Sequence, residues 1–185
     1  MTSAQVDRFV HQRLPAAALM PQLRFDAPEL VFAEQLNLVE ELLDKAPARG
    51  FGGRPMLRSD ALTLSYAQAR EQVDRMAQVL VQDLGLVPGN RVLLRGGNSI
   101  MMALGMLAVM KAGLVAVATM PLLRAKELGD IIDKAQPAAA LCDAALLPEL
   151  AAAQAQHTVL ASIVCFNGRD ALNTPDILEA RCDRK

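Results

Sequence analysis

Arg95-Gly96-Gly97-Asn98 is a glycine-rich turn between a strand-like and a helix-like run, a setting in which backbone amides and a helix N-terminus can hold a phosphate. It matches neither G-x-G-x-x-G nor G-x-x-x-x-G-K-[ST], and no acidic residue stands about twenty positions on to meet a dinucleotide ribose. A tight turn with an Asn98 cap is the better reading. Gly50-Phe51-Gly52-Gly53 leads into a strand, not a helix, and reads as a loop. Arg124-Ala125-Lys126 could meet an anionic ligand, but Lys126, Asp130 and Lys134 recur at four-residue spacing, the pattern of a solvated helix face. Cys142, Cys165 and Cys182 are far apart and outside any C-x-x-C pair, which fits reduced thiols better than a disulfide framework or a zinc site. His11 and His157 lack the companions of a metal cluster or a nucleophile triad. Met101, Met102, Met106 and Met110 read as a helix face packed on a sheet. No catalytic, cofactor-binding or metal-binding residue is assigned.

The elements that would position these residues follow from periodicity. Pro55–Arg58 and Ala61–Ser65 are short strands around a Ser59-Asp60 hairpin turn. Ser65 caps a helix with Tyr66, Ala69, Val73, Met76, Leu80 and Leu84 on one face and Glu71 with Arg75 on the other, closed by Gly85. Strands are expected at Arg91–Arg95, Val115–Thr119, Ala138–Cys142 and Ser162–Phe166, alternating with helices at Ser99–Lys111, Ala125–Ala135 and Ala144 to about Ala153. This alternation predicts an α/β fold with a largely parallel sheet and helices on both faces. Residues 1–50 read as an extension packed on the body, in which Val6, Phe9, Val10 and Leu14 share a helical face and Asn37 caps a helix to about Lys45. In that second helix Leu38, Leu42 and Leu43 face inward and Glu41 pairs with Lys45. Residues 51–166 form the α/β body, and 167–185 a linker holding at most one short helix after Thr174.

The 185 residues are enough for a core that buries roughly 70% of the extended chain's surface. Nineteen Lys and Arg against twenty Asp and Glu leave a net charge of −1 with no basic patch, and one Tyr with no Trp offers few stacking platforms, so nucleic acid is not expected as a partner. The N-terminus carries charge every few residues and is no secretory signal. Gly96–Leu123, with Lys111 its one charge, is long enough to span a bilayer, but Lys111-Ala112-Gly113 in its middle favours a buried helix followed by a buried strand. A cytoplasmic protein without a membrane span is expected.

Leu62-Thr63-Leu64-Ser65-Tyr66-Ala67-Gln68, Leu84-Gly85-Leu86-Val87-Pro88-Gly89-Asn90-Arg91-Val92, Met110-Lys111-Ala112-Gly113 and Ala116-Val117-Ala118 resemble, in order and spacing, the N-terminal region of the acyl-CoA synthetase and adenylation superfamily. Val117 to Leu128, with Asp133-Lys134-Ala135 following, is most similar to the branch of benzoate- and 2-aminobenzoate-CoA ligases. Asn90 stands where an Asp is usual and Gly97 where a Pro is frequent, both at turns that accept them. The resemblance implies an ATP-, Mg2+- and coenzyme A-dependent acid–thiol ligase, in which an aryl or acyl carboxylic acid attacks the α-phosphate of ATP and the thiol of coenzyme A then displaces AMP. The family's Ser/Thr/Gly-rich loop has no counterpart here. Thr2, Thr63, Thr119, Thr158 and Thr174 lack a Gly neighbour, and by family spacing the loop would begin just past Lys185. The chain is therefore expected to be an N-terminal fragment that binds no cofactor and is inactive alone. The alternative is a stand-alone α/β interaction or scaffold module, forming a homo-oligomer through an exposed sheet edge.

Overall fold

The computed structural model describes residues 4–168 and 178–185. Strands β3 (Arg91–Arg95), β4 (Val115–Thr119), β5 (Ala139–Asp143) and β6 (Ser162–Phe166) form one parallel sheet in the order β4-β3-β5-β6. Strands β1 (Pro55–Arg58) and β2 (Thr63–Ser65) make a separate antiparallel hairpin, turned by the Ser59 N–H on the Leu62 carbonyl. β3 and most of β5 are buried on both faces, which is why they read as unbroken apolar runs.

Period-two alternation divides the core. Val92 and Leu94 of β3, with Ala139 and Leu141 of β5, face one helical layer, built from α1 (Tyr66–Gln78) and α2 (Ile100–Lys111). Leu93, Ala140 and Cys142 face the other, built from α3 (Ala125–Ala135) and α4 (Leu147–Gln154). α1 starts at a capping box: the Ser65 hydroxyl accepts the Gln68 N–H at 3.3 Å while Gln68 Oε1 accepts the Ser65 N–H at 2.9 Å. It runs on through a π-helical turn, Val79–Asp83, to Gly85, whose φ of 63° closes it. Gly96–Leu123 is accounted for by a turn, α2, β4 and a loop, and no helix among the described residues is long and apolar enough to cross a membrane. The methionines of α2 are partly buried and pack against the larger core cluster.

Several expectations need correction. Val6 to Leu14 is not a helix; only a 3-10 turn, His11–Arg13, forms there, and Val6 and Leu14 are exposed. Polar contacts to Pro88, Asn90 and Arg91 hold this stretch in place of an apolar face. In the next segment the inward side chains are Val39, Leu43 and Ala46, while Leu38 and Leu42 point outward. The chain winds there as a π-helix over Glu40–Asp44, but Asn37 does cap it, accepting the Val39 N–H at 3.0 Å, and Glu41 does pair with Lys45. α2 is capped by the Ser99 hydroxyl on the Met102 N–H, not by Asn98, because Ser99 has the extended backbone a cap requires. The helix expected from Ala144 starts as a 3-10 turn, Ala144–Leu146, and becomes α-helical at Leu147, with Pro148 in its first turn. α5 (Leu178–Cys182) buries Leu178 and Cys182, and Asp83 pairs with Arg181 and Lys185 behind it. Thr2, Thr174 and the 169–177 part of the expected linker lie outside the described residues.

Candidate functional site

In an open parallel sheet, ligands bind outside the carboxyl ends of the strands where the strand order reverses. Here the reversal lies between β3, which hands the chain to β4 on one side, and β5 on the other. The Arg95–Asn98 turn sits at that point, beside the loop after β4 (Met120–Arg124) and the loop after β5 (from Ala144).

Arg95 is 1% exposed. Its guanidinium donates to the carbonyls of Met120 (3.1 Å), Pro121 (3.1 Å), Leu123 (2.8 Å) and Leu146 (3.3 Å). The cation that could have met a ligand phosphate thus stitches two loops together instead. Gly96 is required by packing: a Cβ there would stand 2.8 Å from Phe166 Cζ. Gly97 faces open space, and the first turn of α2 is capped by Ser99.

The start of α3 is likewise engaged. Glu149 accepts the Ala125 N–H at 2.9 Å and the Arg124 guanidinium at 3.2 Å, and Glu127 accepts the Arg124 N–H at 3.1 Å. The Ala125 N–H above all, and Arg124 after it, hold the Glu149 carboxyl below its ordinary range. A resident carboxylate therefore takes the place an anionic ligand would use at Arg124-Ala125-Lys126. Lys126 itself lies near Asp130 at 3.4 Å on the exposed face. At the end of β5, Asp143 accepts the Ala145 N–H at 3.0 Å and the Asn167 side-chain amide at 2.8 Å.

The structure does not bring the remaining candidates together. Cys142 and Cys165 are register partners on β5 and β6, both buried and neither in a disulfide, and Cys182 is on α5. Burial pushes the Cys142 thiol up to about 12 and the Cys182 thiol up to about 11, so neither is a ready nucleophile. His157 bonds Asp133 through Nδ1 at 2.7 Å. Gly50 has a φ of 79° in a loop where Phe51 lies against Tyr66 and under Arg54. Among the described residues no group of three or more His, Cys, Asp or Glu is arranged to hold a metal ion. Sequence reasoning missed the structural task of Arg95, and a lone arginine ending a buried strand gives little signal of it.

These described residues do not fit a nucleotide triphosphate. The buried guanidinium is committed to carbonyls, and both nearby helix starts are closed by side chains of the chain itself.

The family described as AMP-binding enzyme matches residues 43–183. The fold is similar to a benzoate CoA ligase from Burkholderia xenovorans LB400, at 19% identity and a TM-score of 0.66, covering 80% of this chain and 28% of that one. It is similar also to the anthranilate CoA ligase AuaEII in complex with anthranoyl-AMP, at 17% identity and a TM-score of 0.75, covering 83% and 29%. ATP-bound MatB from Rhodopseudomonas palustris aligns at 27% identity and a TM-score of 0.67, covering 80% and 27%. The chain thus spans less than a third of each of these proteins. No curated protein matches it.

Proposed function

The chain belongs to the AMP-binding enzyme family, and we propose that it supplies the parallel-sheet portion of an ATP-dependent acid–CoA ligase acting on an aromatic acid. The reaction class is carboxylate activation by MgATP followed by transfer of the acyl group to the thiol of coenzyme A. The observation that carries this reading is the family match across 43–183, joined to a sheet of the same fold as the benzoate and anthranilate ligases. In it, residues 1–50 are an extension, 51–166 the α/β body and 167–185 a connecting segment. Three cysteines outside any disulfide fit a reducing, cytoplasmic setting. Since the described residues at the carboxyl edge are committed to one another, the 185 residues alone are inactive.

ATP–pyrophosphate exchange with benzoate and 2-aminobenzoate tests both parts. The purified chain is expected to show none, and robust exchange would refute its inactivity. A chimera carrying residues 43–183 in place of the matching part of the benzoate ligase is expected to exchange. A folded chimera that does not would refute the ligase reading.

A further inference from the structure

The opposite edge of the sheet carries a construction that the ligase reading does not use. Residues 4–13 cross the turn that precedes β3, and the N–H groups of Val6 and Asp7 both donate to the Pro88 carbonyl at 2.9 Å. Asp7 Oδ1 accepts the Phe9 N–H at 2.9 Å, while Oδ2 accepts the Asn90 side-chain amide at 2.8 Å and pairs with Arg91. The Phe9 ring receives the guanidinium carbons of Arg13 and Arg91 at 3.6 and 4.1 Å from its centroid. Gly89 permits this approach, since a Cβ there would stand 2.2 Å from the Asp7 carbonyl oxygen.

Arg91 is anchored independently of the segment, donating to the carbonyls of Gly89, Ala135 and Gln136. None of residues 4–13 is buried. A segment held by polar and cation–π contacts, with no fully buried residue, opens at lower free energy than the sheet beneath it. Ala4, Gln5 and His11 also line a cleft of about 790 Å³, together with residues 34–38, Pro88 and Met110.

We propose that residues 4–13 form a releasable strap, latched by Asp7 on Asn90 and Arg91, that covers the cleft at the amino ends of the strands and opens without unfolding the sheet.

Native-state amide exchange on the 185-residue chain tests this. In the unaltered protein, the Val6 and Asp7 amides are expected to exchange faster than those of β3. Asp7→Asn should speed them about tenfold further, the effect of weakening one charge-assisted hydrogen bond, and leave β3 and α1 amides unchanged. Phe9→Ala, which removes the ring that receives Arg13 and Arg91, should act in the same direction. Hydroxyl-radical labelling of Met110 should rise in both variants as the cleft opens. The proposal is overturned if strap and β3 amides exchange at one common rate, if Asp7→Asn leaves Val6 and Asp7 unaffected, or if faster strap exchange leaves Met110 labelling unchanged.

Discussion

Replacing Arg95 by Met removes a guanidinium that is 1% exposed and hydrogen-bonded to four carbonyls. Met120 and Pro121 are exposed, so their carbonyls can turn to water at a cost of about 0.5 kcal/mol each. Leu123 and Leu146 are half-buried, and orphaning a carbonyl there costs about 1–2 kcal/mol each. Removing a buried charge offsets part of this, leaving a net loss of about 3 kcal/mol, a large share of the roughly 5–15 kcal/mol that holds a domain together. With a urea slope of about 1–3 kcal/mol per molar, the unfolding midpoint should fall by about 1–3 M at constant slope. Arg95→Lys keeps the charge but not the planar fork, and should lie between the two. A midpoint for Arg95→Met within about 0.3 M of the unaltered protein would show that the four bonds are not what holds these loops, and the argument would fail.

Two further outcomes are expected. Ser65→Ala breaks the capping box of α1 and should cost about 1 kcal/mol in urea unfolding, with Ser65→Asp recovering most of it. Burial alone would lower the Lys111 ammonium, but Asp44 at 2.7 Å and Asp74 outweigh it and raise it above its ordinary 10.5. The stabilisation is therefore whole below pH 10.5 and fades as pH rises through the raised value. Lys111→Met should lessen the alkaline decline in stability, and an unchanged decline would refute the assignment.

The sheet and its helices were legible because each buried strand reads as an apolar run and each helix carries a start or stop signal, such as Ser65 and Gly85 around α1. The extension was legible only in part. Val6 to Leu14 has helical spacing, yet its docking depends on Asp7 meeting Asn90 and Arg91 more than eighty residues away, which no local pattern reveals. Leu43 faces inward as expected, but Leu38 and Leu42 misled because π-winding and the position of α1 select Val39 in their place. At the carboxyl edge the turn was found by its glycines. Whether Arg95 faced ligand or loop was decided by carbonyls 25 to 51 residues distant.

Arg91 and Arg95 lie on the same side of β3 as Leu93, four positions apart, and clasp opposite ends of α3: one holds the carbonyls of Ala135 and Gln136, the other that of Leu123 just ahead of the helix. Four strand steps cover about 13 Å and eleven helical residues about 16 Å, so the strand serves as a ruler for the helix lying across it. One residue inserted into α3 would add about 1.5 Å and a swing of roughly 100°, and one of the two clasps would have to let go.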